Sequence, residues 1–124
     1  SVINLRARAS VSSGNGTDTL TLRARLTNAS GTLLGAGPAV DVTNGGGDVG
    51  DIDLQLVVRS IGASGTVMSV GKIGLLTAVT STGSSGVATV DTTAAITLVI
   101  TAQWSAASAS NVVALDGGSL QIIG

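Results

Sequence analysis

Three stretches of this chain alternate apolar and polar side chains at every second position, and that pattern limits its fold more than any other feature. In residues 2–8, Ile3, Leu5 and Ala7 fall on one face and Asn4, Arg6 and Arg8 on the other. Residues 19–27 set Leu20, Leu22, Ala24 and Leu26 against Thr21, Arg23 and Arg25, and residues 51–61 place Ile52, Leu54, Leu56 and Val58 on a single face. A period of two belongs to a half-buried β-strand. No helical period is sustained over about 11 residues anywhere in the chain.

Turn-forming residues separate these stretches. Gly14-Asn15-Gly16, residues 28–31, Ala63-Ser64-Gly65 and Asp116-Gly117-Gly118 are expected to reverse the chain, because Gly, Asn and Asp accept turn conformations at low cost. Short strands are predicted at 32–34 and 39–43, around Gly35, Gly37 and Pro38, followed by a Gly-rich loop at 44–48. Residues 66–80 read as one strand, bent or bulged at Gly71 and Gly74. A loop at 81–86 precedes a short strand at 87–90, a long one at 96–105, a short one at 111–115 and a last one at 119–123. The reading is all-β, with about eight to ten strands in two packed antiparallel sheets, and residues 1–124 form one domain.

The core of such a sandwich must be aliphatic. Hydrophobic residues make up 44% of the chain, with a single Trp and no Phe or Tyr. It therefore lacks the aromatic side chains that bury roughly 150–250 Å² each, and partner subunits are an expected source of stability. Charged residues are only 10% of the chain, with a net charge of −1; a surface meant to stay monomeric carries roughly 25–35%. Six basic residues balanced by seven acids leave no nucleic-acid footprint. The acids are all Asp, a residue of turns and strand ends rather than helices. There is no Cys to build a disulfide or a thiolate site. No apolar run approaches the ~18 residues of a membrane span, and the first ten residues lack the layout of a signal peptide.

Little chemistry is available. Without His, Cys, Glu or Tyr, the usual acids, bases and nucleophiles are missing, and an enzyme is not expected. Asp91-Thr92-Thr93 only loosely resembles an aspartic-protease turn, since glycine is absent from its third position. The segment GGGDVGDID at 45–53 offers Asp48, Asp51 and Asp53 as hard oxygen ligands for calcium. Its spacing fits no EF-hand, and the plainer reading is a loop entering a strand. No cofactor or metal is expected. Arg6, Arg8, Arg23 and Arg25 lie on the outer faces of two predicted strands and would form a basic stripe if those strands paired; the plainer reading pairs them with nearby Asp. Trp104 is either an interface anchor or the one large filler of a small core. These five residues are the candidate interface.

Several segments carry a family resemblance: LRARASVSSGNGTDTLTLRARL at the start, VRSIGASGTVMSVGKI at 58–73, TVDTTAAITL at 89–98 and ITLVITAQWSAASASNVVALDGGSLQII at 96–123. The most specific are residues 59–65 and residues 101–104 with 107–111. Together they resemble a recurrent bacteriophage virion domain, found in capsid decoration (cement) proteins and in fibre or spike tips. The resemblance implies a jelly roll of two four-stranded sheets, assembled as a homotrimer and without an active site. It further implies a decoration protein on the outer capsid surface of the virion, bound to the major capsid protein, with neither nucleic acid nor membrane as partner. The alternative is a receptor-binding tip of a tail fibre or spike, although no repetitive shaft or aromatic glycan platform is evident. Both ends of the chain read as strands, so residues 1–4 are expected to be a free edge used in attachment.

Overall fold

A computed structural model describes residues 1–14, 16–42, 48–75, 78–83 and 88–123. Among these the secondary structure is entirely β: ten strands in two sheets, with every pairing antiparallel. In chain order they are β1 (Val2–Ser12), β2 (Thr19–Leu26), β3 (Leu33–Ala36), β4 (Val40–Asp41), β5 (Asp48–Ser60), β6 (Gly65–Leu75), β7 (Ala78–Gly83), β8 (Ala88–Val90), β9 (Leu98–Trp104) and β10 (Val112–Ile123). The wide sheet has the order β10-β1-β5-β6-β7, with β8 also paired to β6. The narrow sheet is centred on β2, which pairs with β9 and with β3 and β4.

The alternating sequence pattern explains why the two sheets pack. Leu5, Ala7 and Val11 of β1, Ile52, Leu54 and Leu56 of β5, and Val67 and Ile73 of β6 turn inward from the wide sheet. Leu20, Leu22, Ala24 and Leu26 of β2 meet them from the narrow sheet, and one apolar cluster joins the two. The largest fully buried side chains are all Leu, Ile or Val, as the composition requires. Ser69, buried on β6, donates its hydroxyl to the Leu34 carbonyl across the sandwich, so its burial is compensated.

The resemblance implied two four-stranded sheets, but the wide sheet has six strands and only the narrow one has four; and residues 81–83 of the expected loop at 81–86 belong to β7, paired with β6. Four further sequence expectations are corrected. First, β1 and β2 do not pair, since they belong to different sheets and present their outer faces in opposite directions. Arg6, Arg8, Arg23 and Arg25 therefore form no common basic stripe. Second, residues 66–80 are not one strand: β6 ends at Leu75 and β7 returns along it, with Leu75 opposite Ala78. Gly71 sits in regular register opposite Leu54, and the β5–β6 irregularity falls instead between Val58 and Ser60. Third, Asp116-Gly117-Gly118 does not reverse the chain. β10 runs straight through it as a bulge, with Arg8 opposite Gly117 and Ala9 opposite Leu115. The extra residue shifts the phase of the strand, so that Leu120 and Ile122 share a face with Leu5 and Ile3. Without the bulge, Ser119 and Gln121 would take those places.

Fourth, the N-terminal strand is not a free edge. β1 lies between β10 and β5, with Val2 opposite both Ile123 and Val57 and Ile3 opposite both Ile122 and Leu56. Deleting residues 1–4 should therefore lower fold stability by about 2 kcal/mol or more, the value of burying one large aliphatic side chain, before any binding is affected. Urea denaturation at fixed protein concentration reads this out, and an unchanged midpoint would show that the strand end contributes nothing.

The predicted turn at Asn15 and the Gly-rich loop at 44–47 fall on or beside residues outside the described set, as does 84–86 of the loop predicted at 81–86.

Candidate functional site

The outer face of the wide sheet collects much of the charge. Pairing aligns Arg6 with Asp53 and Asp53 with Lys72, and places Arg8 opposite Asp51. Arg8 Nε approaches Asp51 Oδ1 at 2.9 Å, and Arg6 Nε lies 3.5 Å from Asp53 Oδ1. Both arginines are exposed, so each pair adds at most about 1 kcal/mol. Their effect is mainly on polarity, because the two cations are matched by strand neighbours and present no unbalanced basic surface.

On the narrow sheet the other two arginines are held locally. Arg23 donates to Gln103 Oε1 at 2.7 Å, across the β2–β9 ladder. Arg25 donates to the Gly31 carbonyl at 2.9 Å and so braces the turn between β2 and β3. Each of the four arginines thus has a partner within the chain, which matches the plainer sequence reading for Arg6 and Arg8.

The three carboxylates of the candidate calcium segment do not converge. Asp48 begins β5 on its inward face and is buried, whereas Asp51 and Asp53 project from the outer face beside Arg8 and Arg6. Alternation along a strand makes this unavoidable, since positions 48 and 51 differ by an odd number. No cluster of three or more potential metal ligands occurs among the described residues.

Asp91 caps its own turn, accepting hydrogen bonds from the Thr93 hydroxyl and the Thr93 amide. The side-chain bond and then the backbone bond favour the ionised form and hold its carboxyl below the usual value. The turn presents the Thr92 hydroxyl, which accepts a 2.7 Å bond from the Gly62 amide. Asp91-Thr92-Thr93 thereby buttresses the β5–β6 hairpin tip, where Ile61 is 85% exposed.

Trp104, at the end of β9, pairs with Leu20 and is half-buried against the core. One side of it borders residues 106–111, which carry the chain from the narrow sheet back to the wide one. That crossing is pinned by Asn111: its amide donates to Asp18 at 2.8 Å, and its Oδ1 accepts from Ser13 at 2.7 Å.

The surface least explained by the fold is the edge where β9 and β10 lie. Among the described residues each pairs on one side only, β9 with β2 and β10 with β1. The inward residues of β10 stand opposite buried or half-buried residues of β1, yet Leu115, Leu120 and Ile122 are 67%, 55% and 68% exposed. β9 does not reach over them. The step is deepened by two apolar cavities. One, of about 230 Å³, runs among Ala9, Leu22, Ile100 and Leu115. The other, of about 260 Å³, lies among Leu26, Leu98, Leu120 and Ile122. Sequence reasoning singled out Trp104 near this edge but missed Leu115, Leu120 and Ile122, because the supposed turn at 116–118 hid the fact that all three belong to one strand. Comparison of the chain with protein-family models, with curated proteins and with solved structures found no match.

Proposed function

We propose that this chain is a bacteriophage capsid decoration protein: a jelly-roll subunit that assembles as a trimer on the outer head surface and stabilises contacts between major capsid subunits. The observation that carries the reading is the uncovered apolar edge formed by β9 and β10. A contiguous exposed apolar surface on a folded domain marks an interaction site. The repeated passage of the chain between two antiparallel sheets, at β1–β2, β4–β5, β8–β9 and β9–β10, supports the jelly-roll assignment. The sequence resemblance supports the virion role. The protein acts by binding and not by catalysis; a subunit that binds only the assembled shell stabilises that shell by mass action.

The test is co-sedimentation of the purified chain with phage heads stripped of their decoration, with intact host cells as the parallel target. Saturable binding to heads, with increased resistance of those heads to heat, is the expected result. Binding to cells and not to heads would replace the decoration role with receptor recognition at a fibre or spike tip.

A further inference from the structure

We propose that the open position beside β9, above the apolar inner face of β10, is the self-association seam of this protein and is filled by a second copy of the chain. The inference rests on the oligomeric part of the proposed function and supplies the surface that part leaves unspecified.

The narrow sheet is one strand short on this side. β10 overhangs as an apolar flap, and the free edge of β9 forms the step beneath it. A strand laid along β9 would extend the narrow sheet and cover Leu115, Leu120 and Ile122. The free edge of β9 supplies main-chain donors and acceptors for that strand, and the alternate inward residues Leu98 and Ile100 extend the apolar floor.

Charge points to a copy of this chain as the occupant. Where copies of one chain pack around a symmetry axis, equivalent side chains come close together, so a seam between them must carry almost no charge. β9 carries no charged residue, and β10 carries only Asp116. The Asp116 carboxylate is turned to the Ser10 hydroxyl, which donates to it. β9 has seven residues and β10 twelve, of which alternate ones face the seam, so this edge forms the centre of a contact that neighbouring loops complete to the roughly 20–30 residues a side of a stable interface. The charged outer face of β1 and β5 is left free for a different partner.

The experiment compares the full chain with Ile122→Lys and Leu115→Lys by light scattering across a concentration series, with circular dichroism to confirm folding. Both positions are more than two-thirds exposed or nearly so in the single copy, so a lysine is tolerated by the fold itself. Wild type is expected as a discrete multimer, and each variant should dissociate at least about 100-fold more readily, in line with the few kcal/mol lost at an interface centre. Hydrogen exchange on the wild type gives a measurement independent of the variants: amides of β9 and β10 should gain protection as concentration rises. A monomeric wild type, or variants that associate unchanged, would overturn the seam. A monomer that binds heads, and loses that binding with Ile122→Lys, would likewise overturn it and assign the edge to a capsid strand. A multimer that ignores heads would leave the seam standing and remove the decoration role.

Discussion

Leu54→Ala is expected to destabilise the fold by ~3 kcal/mol, within the usual range of about 2–5 kcal/mol for removing a buried leucine. Leu54 is 1% exposed and sits in β5, the middle strand of the wide sheet, with Leu5 opposite on one side and Gly71 on the other. The neighbours that would have to collapse into the space are short aliphatic chains on strands already fixed by ladders. No Phe or Tyr exists to swing into the gap. Urea denaturation at constant protein concentration measures the change; a loss below about 1 kcal/mol would mean that the core repacks far more freely than a close-packed interior should.

Gly71→Ala should be at least as damaging, at ~3 kcal/mol, although it adds only a methyl group. A Cβ at Gly71 would lie 2.0 Å from the Asp53 carbonyl oxygen and 2.8 Å from the Leu54 Cα, so strands β5 and β6 would have to separate. It would also meet Leu54 Cδ2 at 2.9 Å, which shows that Leu54 occupies the space above the glycine. Combining the two substitutions gives a sharper measurement. Leu54→Ala relieves the side-chain clash but not the backbone one, so the double variant should fall short of the sum of the singles by a measurable coupling while remaining worse than Leu54→Ala alone. Additivity would place the whole cost in the backbone contact.

These two positions show how the sequence and the tertiary structure divide the information. Leu54 is legible as a core residue from the alternation of residues 51–61 alone. Gly71 is legible only as an irregularity in a strand. Whether that irregularity is a bulge or a close approach depends on what the neighbouring strand places beside it, and the structure supplies a carbonyl. Asp116-Gly117-Gly118 follows the same rule. Its residues suit a hairpin turn or a bulge equally well by local conformational preference. The outcome is set by β1, which offers eleven residues of pairing along which β10 can continue.

The candidate site divides in a similar way. That Arg6, Arg8, Arg23 and Arg25 face outward follows from period-two alternation and holds in the structure. That they form two separate sets does not follow from it, because strand order is a long-range property that local alternation does not encode. Arg6 and Arg8 are matched by Asp53 and Asp51 across a β1–β5 pairing that joins segments far apart in sequence.

By itself, the sequence determined the all-β class, the aliphatic core and the inward face of each strongly alternating strand. These depend on side-chain chemistry at fixed local spacing, which each segment carries within itself. Only the tertiary structure decided which strand neighbours which, that the N-terminal strand is interior, and that β9 and β10 meet at an uncovered apolar step. Those features arise when segments from opposite ends of the chain compete for the same ladder edges, and the contacts that settle the competition exist only once the sheets are assembled.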